Sequence, residues 1–325
     1  MVISSEPSRE PGQHRAKPGN VPPLRGVAAR EHLDGLVERF RLPEGPSFDP
    51  VGLVRPYSDA RDQEAVGLLA ALLAYGRVAA IQNAVRQVLA SLGDSPSLAL
   101  RAGRHRERRF LPRFQYRWTT RADLVGLLEA MAQMQRGEGS LGAGLRSRVD
   151  AAQDFRAGLA RWAGDLRSLA AGSAPAGRSL RFLLPDPEGL SACKRLHLYL
   201  RWMIRADDGI DLGTWSELLS ASVLTVPLDT HWVRMGPRLG FTTRRAPGRV
   251  MAGEITAALR AIDPVDPLRF DFPICHLGIR GHCPATLKVT HCLACPLTPV
   301  CATGTRRIRH ARPSSASRRS SEGSA

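Results

Sequence analysis

Four cysteines near the C-terminal end constrain this chain more than any other feature. Cys283, Cys292, Cys295 and Cys301 are spaced C-x8-C-x2-C-x5-C within HCPATLKVTHCLACPLTPVC. Four thiolates in one short loop can reach a single tetrahedral site, and two groups fit such a loop: an iron–sulfur cluster or a structural zinc. A zinc ribbon supplies two C-x2-C pairs across a longer gap, and only one such pair is present. One wide gap, one tight pair and one medium gap suit a [4Fe–4S] cube better. His276, His282 and His291 keep Zn as the alternative, because imidazole is a good zinc ligand. Six cysteines are too few for a disulfide scaffold in 325 residues, and thiols clustered for a metal imply a reducing compartment.

The net charge is +16, from 46 basic and 30 acidic residues, a balance that favours a polyanion such as nucleic acid. The longest apolar run, Ala65 to Tyr75, is too short to span a bilayer, so no membrane partner is expected. The N-terminal residues lack the apolar segment of a secretory signal. These features point to the cytoplasm and, for a DNA-binding chain, to the nucleoid. Residues 1–28 read as a disordered basic N-terminus and residues 305–325 as a disordered basic tail. Between them the patterning is helical. Val66, Leu69, Leu72 and Leu73 form one stripe after a cap at Ser58 or Asp59. Ile81, Val85, Val88, Leu89 and Leu92 form another, and Leu124, Leu127, Leu128, Met131 and Met134 a third that ends before Gly137. The expectation is an all-α fold in two lobes, 29–225 and 226–304. The run Arg104 to Arg109 followed by Phe110, Phe114, Tyr116 and Trp118 suits either a nucleic-acid surface or a charged loop leading into the core.

The segment SACKRLHLYLRWMIR places Lys194, His197, Arg201 and Arg205 on one helical face, with Leu196, Leu200, Met203 and Ile204 opposite. That arrangement reads as a buried face backed by a cationic stripe, either a solvated basic face or one offered to phosphates. The chain holds three lysines, Lys17, Lys194 and Lys288, against 43 arginines (46 − 3). A position that needs only positive charge would be arginine in such a sequence. Lysine alone can shed its proton and attack as a neutral amine, so Lys194 is a candidate nucleophile. Further on, Asp229 in Pro227-Leu228-Asp229-Thr230-His231 is placed to cap a helix beginning at Thr230.

In this order the amine, the carboxylate and the cysteine loop resemble the HhH-GPD superfamily of DNA glycosylases, the endonuclease III group in particular. Pro227 to His231 is similar to that family's catalytic aspartate segment. Cys193-Lys194-Arg195-Leu196 falls where the family has its hairpin-adjacent lysine, and Gly278 to Cys301 is similar to its cluster loop. Ala70 to Gly76 resembles the helix before the loop that enters the strand. The resemblance implies a two-lobed helical glycosylase fold with AP-lyase activity on double-stranded DNA carrying a damaged base. Lys194 would form a Schiff base and Asp229 would assist. His197, Arg201, Arg205, Tyr75 and Arg77 would contact the DNA, and the four cysteines would hold the cluster. Three features depart from the family. The first cysteine gap is two residues longer. The hairpin Pro187-Glu188-Gly189-Leu190-Ser191 has one glycine. The segment between Lys194 and Asp229 is enlarged, carrying Asp207, Asp208, Asp211 and Trp215. The alternative is a non-catalytic DNA- or RNA-binding protein on the same scaffold.

Overall fold

A computed structural model describes residues 27–40, 49–172 and 177–311, and over these the chain is mostly helical, as the all-α expectation required. In chain order come α1 (Val27–Arg39), α2 (Ala60–Leu72), α3 (Val78–Leu92), α4 (Pro96–Arg101) and a two-residue ladder of β1 (Gln115–Tyr116) with β2 (Thr119–Thr120). Then follow α5 (Arg121–Glu138), α6 (Leu141–Ala152), α7 (Phe155–Ala171), α8 (Arg178–Leu183) and α9 (Lys194–Ile204). The last are α10 (Thr230–Leu239), α11 (Arg249–Arg260), α12 (Asp271–Ile279), α13 (Val289–Leu293) and α14 (Ala302–Ala311).

The middle of the molecule is built on α2. Asp59 starts it, accepting from the backbone N–H groups of Arg61 and Asp62 at 2.8 and 3.2 Å. Ala65 through Leu73 are all buried, so the apolar stripe expected here is a helix buried around its whole circumference. Gly67 is what lets α9 lie against it. A Cβ at that position would stand 2.9 Å from the Met203 terminal methyl and 3.2 Å from the Tyr199 ring.

Glu64, also on α2, has a buried carboxylate that reaches the start of α6. It accepts from the N–H groups of Leu141 and Gly142 at 2.8 and 3.0 Å and from Trp215 Nε1 at 2.7 Å. A buried charge is tolerable only with such a donor set, and a helix N-terminus supplies one. Trp215 lies edge-on to Tyr199 and fills the space over Gly142. Helices α5, α6 and α7 pack together on this side, with α5 opened by a Thr120–Asp123 capping box. It runs through Gly137 to Glu138, two residues past the expected stop.

Helix α1 packs against α12 and the short turn at Pro267–Phe270, so the first helix lies among the last ones. The expected disordered tail needs correction, since residues 305–311 are the second half of α14. Residues 1–26 and 312–325, expected to be disordered, lie outside the described residues, as do residues 173–176. Among the described residues no helix is long and apolar enough to cross a membrane.

Candidate active site

Two helix starts meet where Lys194 and Asp229 sit. The chain enters α9 through Cys193, held at φ 46, whose N–H donates to Ser191 Oγ at 3.1 Å; Lys194 is the first helical residue. The preceding hairpin segment is pinned to the start of α11. Arg249 N donates to Leu190 O at 3.0 Å, and Arg249 Nε to Gly189 O at 2.8 Å. The Leu190 side chain at its tip is 87 % exposed. Asp229 opens α10, accepting from Trp232 N at 2.8 Å, and so is the cap its sequence context implied.

Burial, and then the nearby charge of Asp271, push the Asp229 carboxyl above its ordinary range. The Trp232 N–H, Lys194 and His231 pull the other way. Lys194 and Asp229, 35 positions apart (229 − 194), are thus within electrostatic reach of each other. The sequence reading overlooked two neighbours. Cys275 Sγ stands 3.9 Å from Asp229 Oδ1 and from Asp271 Oδ1. Burial, then both carboxylates, push its thiol well up, so it is a neutral donor between two acceptors. Asp271 is held in turn by Trp232 Nε1 and Arg201.

The cationic stripe of α9 is not a surface. Arg201 and Arg205 are 3 % and 5 % exposed. Arg201 bonds Asp211 at 3.1 Å and Asp271, while Arg205 bonds Asp208 at 2.9 Å, Asp266 at 2.8 Å and Asp211. Burial alone would lower both guanidinium pKa values, but the flanking aspartates more than offset it and raise them. His197, one turn before Arg201 on α9, has a buried Nδ1 without a hydrogen-bond partner, and burial pushes the imidazole down to about 4. The expected phosphate contacts of Arg201 and Arg205 are therefore withdrawn. Their charge is consumed by four aspartates, and neither fork is open to a ligand. His197, neutral at physiological pH, supplies no charge for one either.

Tyr75 and Arg77 part company. Tyr75 is half-buried, its hydroxyl 2.5 Å from Thr119 Oγ1 and donating to Tyr116 O at 3.2 Å. Arg77 is exposed, at the residue before α3. The basic run 104–109 resolves into structure at its centre. His105 is fully buried and 2.7 Å from Glu129, which also receives Arg106 at 2.6 and 2.7 Å. Chiefly through the Arg106 bonds, the Glu129 carboxyl falls to about 2.

The four cysteines follow α12 and run through α13 to the start of α14. Each of Cys292, Cys295 and Cys301 feels the charge of Cys283, so the four thiols share one neighbourhood. Nitrogen donors are aimed at sulfur there. Arg238 Nη1 reaches Cys283 Sγ at 3.2 Å, whereas Cys301 Sγ accepts from Gly304 N and donates to Arg238 O, both at 3.3 Å, as a thiol that burial pushes up. Of the histidines considered for zinc, His276 instead stacks on Phe272 with centroids 3.7 Å apart. His291 Nδ1 accepts from Lys288 N at 3.0 Å. Among the described residues no three His, Cys, Asp or Glu side chains stand close enough to hold a single metal ion.

No curated protein and no solved structure matches the chain. One family profile does, over residues 49–280, a span that includes Lys194, Asp229 and Cys275 and stops three positions short of Cys283. That span is well over half of the 325 residues, and the chain belongs to the DUF2400 family, described as proteins of unknown function.

Proposed function

We propose that this protein is a DNA base-excision repair glycosylase with AP-lyase activity, built on an HhH-GPD-like scaffold. The observation that carries the reading is the convergence of Lys194 and Asp229 from two helix starts, an amine and a carboxyl within electrostatic reach. A flipped, damaged nucleotide would enter beside them. Once the Lys194 ammonium has passed a proton to Asp229, its Nζ forms a bond to the sugar C1′ as the C1′–N bond breaks, the electron pair leaving with the base, which takes up that proton. The positively charged nitrogen then gives up one of its two protons, which is delivered to O4′ as the C1′–O4′ bond breaks and a protonated Schiff base forms. Asp229 is suited to relay these protons, because burial and Asp271 have raised its proton affinity. Cys275, Asp271, Trp232 and Arg201 fix the carboxyl's position from behind.

Cys283, Cys292, Cys295 and Cys301 would hold a [4Fe–4S] cluster, with Zn as the alternative. The Arg238 guanidinium aimed at Cys283 supports an anionic sulfur ligand there. The cluster would serve to fix the loop and α14 on α10. Double-stranded DNA would be held by exposed arginines such as Arg77. A non-catalytic DNA- or RNA-binding protein is the second reading, favoured by the single-glycine hairpin with its exposed Leu190, where the family brings bare backbone to a phosphate. Borohydride trapping on duplexes carrying a panel of damaged bases distinguishes the two. A covalent adduct that disappears in Lys194→Arg supports the enzyme, and specific binding with no adduct on any lesion supports the binder.

A further inference from the structure

The two-residue turn between β1 and β2 places Arg117 and Trp118 at the tip of a hairpin. Arg117 has φ 54 and Trp118 does not have positive φ, so an arginine occupies the turn position at which this pattern favours glycine. Strain of this kind persists only where the surroundings enforce it. Here the surroundings are aromatic. Trp118 stacks on Tyr75 with ring centroids 5.3 Å apart and planes at 18°, and Phe182 of α8 meets both rings edge-on at 5.1 Å. The Arg117 guanidinium lies 4.9 Å from the Trp118 ring and 6.0 Å from Tyr75. Arg195, adjacent to Lys194, lies 3.9 Å from Phe182.

This cluster is not a closed core. Trp118 is 49 % exposed and Phe182 37 %, whereas the other four tryptophans, Trp162, Trp202, Trp215 and Trp232, are buried. Its rim is cationic, with Arg77, Arg178 and Arg181 exposed on the segments that carry Tyr75 and Phe182. Asp123, a carboxylate that influences Tyr75, is engaged by Thr120. Half-exposed aromatic rings interleaved with arginine suit a partner that is both flat and anionic. Paired bases within a duplex have their faces covered by their neighbours and show only edges, so the fitting partner is a strand with unpaired bases.

We infer that Tyr75, Trp118 and Phe182, with Arg117, form a stacking platform for unpaired bases of a nucleic-acid strand beside the Lys194 site. The inference rests on the nucleic-acid reading above and adds a second, separable binding surface to it.

Trp118 is the solvent-open tryptophan, so intrinsic fluorescence reads it directly. A short oligothymidylate titrated into the full-length protein should quench fluorescence saturably, and an equal concentration of dTMP should not. Trp118→Leu should abolish the quench and weaken oligothymidylate binding by about 5- to 150-fold, the range measured for losing one base–aromatic stack. Duplex binding by the variant should be unchanged. Arg117→Gly should also weaken strand binding while raising Tm, because it relieves the positive φ. Oligothymidylate binding without a quench, or unaltered by Trp118→Leu, overturns the platform. Equal quenching by dTMP assigns a mononucleotide site and overturns it as well. If duplex binding and borohydride trapping succeed while the quench fails, this inference alone falls. If the protein binds neither strand nor duplex, the nucleic-acid reading falls with it, and an acidic protein partner that protects Trp118 becomes the account.

Discussion

Arg201→Ala separates a buried charge network from a surface stripe. Arg201 is 3 % exposed and its two partners, Asp211 and Asp271, are 0 % and 2 % exposed. Truncation leaves two carboxylates in the interior without the guanidinium that served both. Removing one member of a buried ion pair typically costs about 3–5 kcal/mol. For a chain of this size a loss of about 1 kcal/mol lowers Tm by roughly 2 °C, so the expected drop is about 6–10 °C. The loss should depend on pH in a definite direction. Burial pushes the Asp211 carboxyl up against the pull of Arg201 and Arg205, and without Arg201 it rises further. A carboxyl whose folded pKa exceeds its unfolded value takes up a proton in the native state as pH falls. The variant should therefore recover stability relative to wild type as pH is lowered from neutral toward the ordinary carboxyl value of about 3.9. Urea denaturation at both ends of that range measures this, and Asp211→Asn added to Arg201→Ala should restore part of the loss. A Tm change under about 2 °C, together with a flatter salt dependence of DNA binding, would mean that Arg201 is a surface phosphate contact and that the buried network does not exist.

Lys194→Arg should abolish borohydride trapping while leaving Tm and DNA affinity intact, since guanidinium keeps the charge but cannot supply a neutral amine. Asp229→Asn should keep α10 capped, because Asn caps nearly as well as Asp, and slow base release by about 10²-fold or more in a single-turnover assay. His197 is held down to about 4 in the fold against an ordinary value near 6.5. The unfolded chain therefore gains a proton first as pH falls, and stability is lost between about pH 6.5 and about pH 4, by at most about 3 kcal/mol. His197→Leu should flatten that part of the urea-midpoint profile. Cys292→Ser should strip iron from anaerobically purified protein, whereas Cys193→Ala should retain it, as read by metal analysis; stoichiometric zinc in wild type would reject the cluster.

What was legible in the sequence was local. Asp59 and Asp229 as helix caps, Lys194 at a helix start and the apolar face of α9 all follow from residues within one turn of each other. The α9 arginines were not legible, because their fate depends on partners at long separation. Asp266 and Asp271 lie 61 and 70 positions from Arg205 and Arg201. One signal was within reach. Asp207, Asp208 and Asp211 follow Arg205 at once, and an acidic cluster directly after a basic face is the composition of an internal pairing. Cys275 was not legible either, since a cysteine outside the C-x8-C-x2-C-x5-C pattern says nothing of the two carboxylates that flank it in space. The aromatic run after Arg109 divided only on folding, Phe110, Phe114 and Tyr116 going inward and Trp118 outward.

The segment between Lys194 and Asp229 is enlarged relative to the glycosylases it resembles, and Trp215 anchors its middle. Its indole nitrogen donates to Glu64, its ring meets Tyr199, and it fills the space over Gly142, so the segment is stitched to three helices at a single point. The segment therefore behaves as a ruler rather than a tether. It sets how far apart the two helix starts can drift, and a residue added or removed on either side of Trp215 would be transmitted to the Lys194–Asp229 pair instead of being absorbed in slack. Length variation in this stretch should accordingly be rare among chains that keep the tryptophan and common among those that have lost it.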